Sequence, residues 1–158
     1  MDLTSLSPAP PASRSAAEAR LRRMSLSSLF ALLIQYGLGM GVNLFVNVPD
    51  ADQGKGTGSA VGKALSNGPA ALSVHAGIGL LLILNVISVL VYAIRTRMTS
   101  MIVSAAVGFL CVVGAAMSGA AFVDKGANGA SMTMAVLTGV AIATYGINLY
   151  VLGGRREV

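Results

Sequence analysis

The sequence predicts an all-α protein: a transmembrane, antiparallel four-helix bundle with both termini on the cytoplasmic side of the membrane. Composition and the spacing of charged residues carry this prediction. Hydrophobic residues make up 54% of the 158 residues. Charged residues make up only 11%, whereas soluble domains average about 25%. With a mean hydropathy of +0.75, this composition excludes a disordered chain, a coiled coil and an ordinary soluble enzyme.

Four long stretches of the chain carry no charged residue, and each is long enough to cross a bilayer. The eight charged residues between Met24 and Leu152 fall into three clusters. The uncharged stretches predict spans at about residues 26–48, 71–94, 98–123 and 130–152. A helix rises about 1.5 Å per residue, so roughly 20 residues cross about 30 Å of hydrocarbon. Because the lipid core contains no water, each span must be a helix that satisfies its own backbone.

The basic residues predict the orientation of the spans. One side of the four-span arrangement carries eight arginines: Arg14, Arg20, Arg22, Arg23, Arg95, Arg97, Arg155 and Arg156. The other side carries Lys55, Lys63 and Lys125. Cytoplasmic flanks are enriched in Lys and Arg, so both termini are predicted to be cytoplasmic. The predicted partner of these arginines is the lipid bilayer and not a nucleic acid, because no aromatic residues are interleaved with them.

Outside the spans, residues 1–23 are predicted to be a cytoplasmic basic segment. Residues 1–15 are rich in Pro, Ala and Ser, cannot bury a core and are expected to be disordered. Residues 16–23 favour a helix that extends the first span into the cytosol. The transmembrane domain is predicted to cover residues 24–154, and residues 155–158 form a cytoplasmic tail.

The first connection between spans is predicted to carry a short helix. Residues 59–65 favour an interfacial helix with Val61, Ala64 and Leu65 facing lipid. Asn67-Gly68-Pro69 then ends it. The second and third connections are short, so the spans they join are expected to be neighbours in the bundle.

Polar residues inside the spans are the candidates for function, because polar groups are costly in lipid and usually turn inward. Gln35, Gly39, Asn43 and Asn47 follow at four-residue steps and trace one stripe on the first span. The predicted intramembrane polar cluster consists of Gln35, Asn43, Asn85, Tyr145 and Asn148. Interhelical hydrogen bonding and a permeation track both explain such a cluster. No predicted span holds an acidic residue, which argues against proton- or cation-coupled transport.

His75 is the one histidine of the chain and lies near the outer end of the second span. Gly79 follows four residues later and leaves room for a flat ligand, as in the haem-binding helices of small membrane cytochromes b. Those helices use two axial histidines, so Met132, Met117 or another copy of the chain would have to supply the second ligand. Histidine with thioether sulfur also suits Cu(I). The primary prediction is that the chain binds no cofactor. The alternative is haem b or a soft metal bound at His75.

Two stretches of the sequence resemble a known group of proteins. The run LGMGVNLFV at residues 38–46 is followed by Gly68-Pro69 and by LSVHAGIGLLL at residues 72–82. The pattern LGMxxNLFV, then GP, then LxxHAxxGxLL resembles a group of small four-span membrane proteins of high-GC Gram-positive bacteria. The resemblance covers about residues 26–152. It implies the cytoplasmic (inner) membrane of a bacterium, the four-span topology and a shared outer polar site at Asn43, Gly68-Pro69 and His75. It implies no mechanism, because no activity is assigned to the group.

Small residues mark helix faces that are able to approach another helix closely. Gly37 and Gly41 form a GxxxG pair, and Ala135, Gly139 and Ala143 repeat at four-residue steps. These faces indicate either packing within the bundle or a homo-oligomer contact. One cysteine and one histidine exclude the usual paired catalytic and metal sets within one copy. The sequence therefore favours a non-enzymatic accessory or interaction protein, in a homo-oligomer or a larger membrane complex. Electron transfer through His75 and small-solute permeation stay open as alternatives.

Overall fold

The computed structural model describes residues 12–46, 54, 56–126 and 128–154, and this part of the chain forms five helices. Helix α1 covers Ala12–Phe45, α2 covers Thr57–Ser66, α3 covers Ala70–Thr96, α4 covers Thr99–Lys125 and α5 covers Asn128–Gly154. All helices but α2 are long and apolar enough to cross a membrane, over Ala16–Phe45, Ala70–Thr96, Thr99–Lys125 and Gly129–Gly153. The predicted all-α class and the four helices of membrane-spanning length are confirmed.

The first helix is longer than the sequence pattern predicts. It begins at Ala12 and runs without interruption for 34 residues, so residues 12–15, expected to be disordered, are helical. Alanine and arginine are strong helix formers, which explains why the helix extends beyond the apolar stretch. The rest of the predicted disordered segment, residues 1–11, and the tail at residues 155–158 lie outside the described residues.

Two left-handed residues close the tight connections between the long helices. Arg97 ends α3 with φ 55°, and its N–H donates to the carbonyl of Ile94 at 3.1 Å. Gly126 ends α4 with φ 62°, and its N–H donates to Phe122 at 2.8 Å. A left-handed residue after the last helical turn satisfies carbonyls that the helix itself leaves unpaired. Each pair of helices so joined also packs side by side.

The four long helices pack as a ring in which α1 and α4 each contact both α3 and α5. The short helix α2 packs on α3 and α4. At one end of the ring, which we call the lid end, the residues buried together with α2 are Val42, Ala60, Ala64, Leu72 and Val123. At the other end, the arginine end, a larger core contains Leu21, Met98, Met101 and Leu152. The lid end holds the candidate site.

Candidate functional site

A cavity of about 370 Å³ lies at the lid end between the four long helices. Helix α2 contributes Val61 and Ala64 to its wall, so this helix covers the space. Most of the wall is apolar, and the polar side chains that reach it are Gln35, Tyr36, Asn43, His75, Ser131 and Thr138. Among the described residues, no charged side chain lines the cavity. A space of this kind suits an apolar molecule with a small polar part.

Small side chains create this space. The wall contains Gly39, Ala76, Gly79, Ala115, Ala116, Gly119 and Ala120. Small residues usually let helix backbones approach each other in lipid. Here they lie on three helices that face a common centre. Side chains of neighbouring helices fill the positions opposite the three glycines, and the volume that remains lies between the helices.

Gln35 and His75 form the polar corner of the cavity. The Gln35 Nε2 atom donates a hydrogen bond to the backbone carbonyl of His75 at 2.8 Å. The same nitrogen lies 3.5 Å from the His75 Nε2 atom. One amide hydrogen of Gln35 bonds to the carbonyl, so the other points towards the His75 Nε2 atom. Nε2 is then the acceptor, and this favours the imidazole tautomer that carries its proton on Nδ1.

Two glycines make room for this polar pair. A Cβ atom at Gly39 would lie 3.0 Å from the His75 Cε1 atom. A Cβ atom at Gly79 would lie 3.1 Å from the Gln35 Nε2 atom. Each side chain therefore occupies the gap opposite a glycine of the other helix. The space beside Gly79, where the sequence suggests a flat ligand, holds the amide of Gln35.

The polar corner has unused hydrogen-bonding capacity. Among the described residues, the buried Gln35 Oε1 and His75 Nδ1 atoms have no hydrogen-bond partner. Leaving a buried polar atom unpaired costs about 1–3 kcal/mol, so a group that forms a hydrogen bond with either atom would be stabilised there. In the favoured tautomer, Nδ1 donates and Oε1 accepts. A hydroxyl group both accepts and donates, so it is able to pair with either kind of atom.

The cavity is open to the side of the bundle. Four of its lining residues keep much of their surface exposed: Tyr36 41%, Met40 43%, Leu80 44% and Met117 65%. These side chains lie on the outward faces of α1, α3 and α4, which are the faces that acyl chains would cover in a membrane. A molecule dissolved in the lipid is therefore able to reach the cavity between the helices.

Asp124 holds the beginning of the lid. Its Oδ1 atom accepts the N–H of Gly56 at 3.0 Å, and its backbone carbonyl accepts the N–H of Gly54 at 2.9 Å. Gly56 precedes α2 with φ 87°, a conformation suited to glycine. The carboxylate is only 7% exposed and lies at the positive end of the α2 dipole. It thereby caps a helix that, within the described residues, has no side-chain cap of its own.

Ser73 holds the other end of the lid. Its hydroxyl donates to the carbonyl of Ala64 at 2.7 Å. Gly68 lies so close to the end of α2 that an added Cβ would be 2.8 Å from the same carbonyl oxygen. Helix α2 is therefore fixed to α4 at its beginning and to α3 at its end, across the mouth of the cavity.

The predicted orientation of α2, with its apolar residues towards lipid, is wrong in part. Ala64, predicted to face lipid, is 5% exposed and packs into the lid-end core. Val61, also predicted to face lipid, lines the cavity. Leu65 is exposed, as expected. The pattern of apolar residues identifies the buried face of α2, but that face meets the bundle instead of lipid.

The structure divides the predicted polar cluster between two places. Gln35 and Asn43 line the cavity, and Asn43 accepts a hydrogen bond from Ser131 at 2.9 Å. Asn85 lies elsewhere and donates to the Ser28 hydroxyl of α1 at 2.8 Å. The remaining two members, Tyr145 and Asn148, are buried and do not line the cavity. The cavity therefore collects two of the five predicted residues and adds His75.

The methionines named as possible ligands lie in different positions. Met117 lines the cavity, whereas Met132 is 67% exposed and does not. Met40 and Met134 also line it. In the described part of the chain, no three His, Cys, Asp or Glu side chains come together in a group able to hold a metal ion.

Sequence reasoning missed the roles of Asp124 and Ser73. Asp124 reads as a charge in the third connection, but α4 continues to Lys125 and buries it. Its hydrogen-bond partner, Gly56, is 68 residues away. The sequence signal that could have indicated this contact is an acidic residue directly after an apolar span, together with a glycine-rich first connection on the same side of the predicted bundle.

No protein-family model, curated protein or solved structure matches this chain. A functional assignment therefore depends on the geometry of the cavity and of the helices around it.

Proposed function

We propose that the chain is an integral protein of a bacterial cytoplasmic membrane, with four antiparallel spans and both termini in the cytoplasm. The apolar length of the four helices supports the membrane assignment. The two close contacts of α1 with α3 support the antiparallel order, because Gln35 lies opposite Gly79 and Gly39 lies opposite His75. The arginines at the arginine end support the orientation, since basic residues favour the cytoplasmic side.

The proposed function is reversible, non-enzymatic binding of an apolar membrane molecule in the lidded cavity. The observation that carries it is a laterally open cavity of about 370 Å³ with one polar corner. Small-molecule sites typically measure about 300–1,000 Å³ and combine apolar walls with a few convergent polar groups. A catalytic role is not supported, because among the described lining residues His75 has no acidic or thiol group beside it.

The ligand class follows from the walls and the polar corner. The walls favour an alkyl or isoprenoid chain, since they are apolar and accessible from lipid. The Nδ1 donor of His75 and the Oε1 acceptor of Gln35 favour a single hydroxyl group at the end of that chain. The proposed ligand is therefore a long-chain lipid alcohol, or a lipid that presents one free hydroxyl.

The test uses tryptophan fluorescence, because the chain contains no natural tryptophan. Met117→Trp places a reporter at the mouth of the cavity, and dibrominated stearyl alcohol quenches it on contact. We expect saturable quenching of this reporter. Ile147→Trp is the control, since Ile147 is similarly exposed, at 60%, but does not line the cavity. Its quenching is expected to rise only in proportion to the alcohol in the micelle.

A second pair of variants tests whether the cavity itself is the site. Ala135→Leu fills part of the lining, whereas Ala143→Leu adds the same volume two turns further along α5, outside the lining. Binding is expected to fall at least about tenfold in the first variant, the loss of about 1.4 kcal/mol, and to stay unchanged in the second. Equal binding by both variants, or quenching of equal strength by the matching dibrominated alkane, contradicts the proposal.

A second candidate function is electron transfer by a haem or a soft metal bound at His75. The observation in its favour is that Met40, Met117 and Met134 line the same cavity as the imidazole. Thioether sulfur and imidazole together suit haem iron and Cu(I). An absorbance spectrum after expression with added haem tests it, together with elemental analysis. A Soret band that is lost in His75→Ala supports this candidate, and a protein without haem or copper rejects it.

Two further proposals concern partners and permeation. Gly37 and Gly41 have nothing within 4 Å of the place where a side chain would begin, so this GxxxG face is available to a second copy or to a larger complex. Chemical crosslinking in cells, compared with a Gly37→Leu variant, tests the contact. Permeation of a small solute has less support, since Asn85 and Asn148 do not line the cavity.

A further inference from the structure

Two arginines from different helices meet on one tyrosine at the arginine end. The guanidinium carbon of Arg20, on α1, lies over the ring of Tyr92 at 4.9 Å from its centroid. The guanidinium carbon of Arg95, on α3, lies over the same ring at 5.3 Å. Both distances are within the range of a cation–π interaction. Tyr92 itself packs against the core, so the ring is a fixed platform for both cations.

This contact leaves the hydrogen-bonding edges of both cations free. A guanidinium that lies over a ring uses its flat face, while its five N–H donors point outward in its plane. Among the described residues, neither arginine donates a hydrogen bond or forms an ion pair. Both side chains are exposed. Two like charges therefore lie beside one ring with their donors available to an anion.

The surroundings of the ring are strongly basic. Arg22 and Arg23 follow on α1, and Arg97 follows at the end of α3. Glu18 is the one acidic residue in residues 12–24 and 90–102. Tyr92 lies four residues before the end of α3, about 6 Å along the helix axis. This is the depth at which tyrosines and the phosphates of a bilayer usually meet.

We propose that Arg20, Tyr92 and Arg95 form a binding site for the phosphate group of an anionic phospholipid. The planar donors of the two guanidinium groups match phosphate oxygens and form charge-assisted hydrogen bonds with them. The acyl chains of the same lipid then cover the apolar surfaces of α1 and α3, which expose Leu26 and Val91 nearby. This site depends on the membrane assignment but not on the cavity at the lid end, which lies at the other end of the helices.

The experiment measures lipid binding to the purified full-length protein in a neutral detergent. Native mass spectrometry and thermal unfolding are followed during titration with phosphatidylglycerol, with phosphatidylcholine, and with inorganic phosphate. We expect specific binding and stabilisation by phosphatidylglycerol alone. A direct hydrogen bond from one guanidinium to the phosphate contributes a factor of about five in affinity. Arg20→Gln and Arg95→Gln are each expected to weaken binding by that factor, and the double variant by about 25-fold.

A matched control distinguishes binding at this site from attraction by the net charge of the surface. Arg22→Gln with Arg23→Gln removes the same charge from the same surface, away from the tyrosine ring, and is expected to weaken binding less than about twofold in salt. Tyr92→Phe keeps the ring and is expected to keep most of the binding, whereas Tyr92→Leu releases both cations and weakens it. Unfolding without lipid verifies that each variant is folded.

Three results overturn the proposal. The first is an equal loss of affinity in the two double variants, which means that binding follows net charge. The second is equal stabilisation by phosphatidylcholine, which means that the phosphate charge is not recognised. The third is saturation by inorganic phosphate with no additional effect of phosphatidylglycerol, which assigns the site to a free anion.

Discussion

At the arginine end the space opposite Gly108 is filled by an aromatic ring, whereas at the lid end the spaces opposite Gly39 and Gly79 hold polar side chains beside a cavity. A Cβ atom at Gly108 would lie 2.9 Å from the Cζ and Oη atoms of Tyr145, which is completely buried. Gly39 faces the imidazole of His75, which is only partly buried and lines open space. The same kind of residue therefore supports dense packing at one end and lies beside a cavity at the other.

This difference separates the densely packed part of the bundle from the part that contains the cavity. Dense packing is the main source of helix association in lipid, where hydrophobicity gives no preference for one helix over another. The arginine end provides it through Tyr145 and its neighbours Met101 and Ala105. The lid end gives up part of this packing around Gln35 and His75. A site that accepts a ligand needs such a less densely packed region, held in place by a rigid one.

The largest expected effect comes from the same substitution made at both ends. Gly108→Ala forces the new methyl group against a ring that is unable to move, and overpacking of this kind costs about 1–3 kcal/mol. Gly39→Ala meets the edge of an imidazole with space beside it, so we expect a cost below about 1 kcal/mol. Equilibrium unfolding in mixed micelles measures both. Gly139→Ala, where nothing lies within 4 Å, is the control for helix propensity.

A double variant tests the cause of that loss. If the ring of Tyr145 is the obstacle, Tyr145→Leu should remove most of the added cost of Gly108→Ala, and the two free energies of unfolding should be strongly non-additive. Additive effects of the two changes, or equal losses for Gly39→Ala and Gly108→Ala, would show that the two ends do not differ in packing.

The second effect, of intermediate size, concerns the lid. Asp124→Ala removes the acceptor for the Gly56 N–H at the beginning of α2, and the loss of a helix cap costs about 0.5–2 kcal/mol. We expect this loss to appear locally, as faster hydrogen exchange in α2, with little change at the arginine end. Faster entry and exit of the lipid alcohol should accompany it. Hydrogen exchange with mass spectrometry measures the protection of each segment.

Two variants of the same region act as controls for the lid. Asp124→Asn keeps an oxygen acceptor without the charge and should restore part of the protection of α2. Lys125→Ala changes the exposed neighbouring residue and should have no effect on that helix. Unchanged exchange in α2 after Asp124→Ala would mean that the carboxylate of Asp124 does not hold the lid.

The helices were predictable from sequence to a far greater degree than the site. Uncharged stretches longer than a bilayer identify each span directly, because lipid excludes charge. The four-residue stripe of Gln35, Gly39 and Asn43 also identified one wall of the cavity. The cavity itself was not predictable, since small residues such as Ala115 and Gly119 suit close packing as well as open space. The role of Asp124 depends on a contact with Gly56, far away in the sequence, that only the folded chain brings together.

The smallest expected effect is the difference in coupling energy between two interhelical hydrogen bonds, one at each end of the bundle. Ser28 and Asn85 pair in the densely packed part of the bundle, where such bonds contribute on average about 0.6 kcal/mol. Asn43 and Ser131 pair at an exposed position near the ends of α1 and α5, where water and lipid head groups would compete for both side chains. Double-mutant cycles with alanine at each pair measure the two coupling energies. We expect a coupling near 0.6 kcal/mol for the first pair, from the same average, and a value close to zero for the second. A larger coupling for Asn43 and Ser131 would mean that the lid end is as dry and as tightly packed as the arginine end, and it would remove the physical basis for an accessible cavity there.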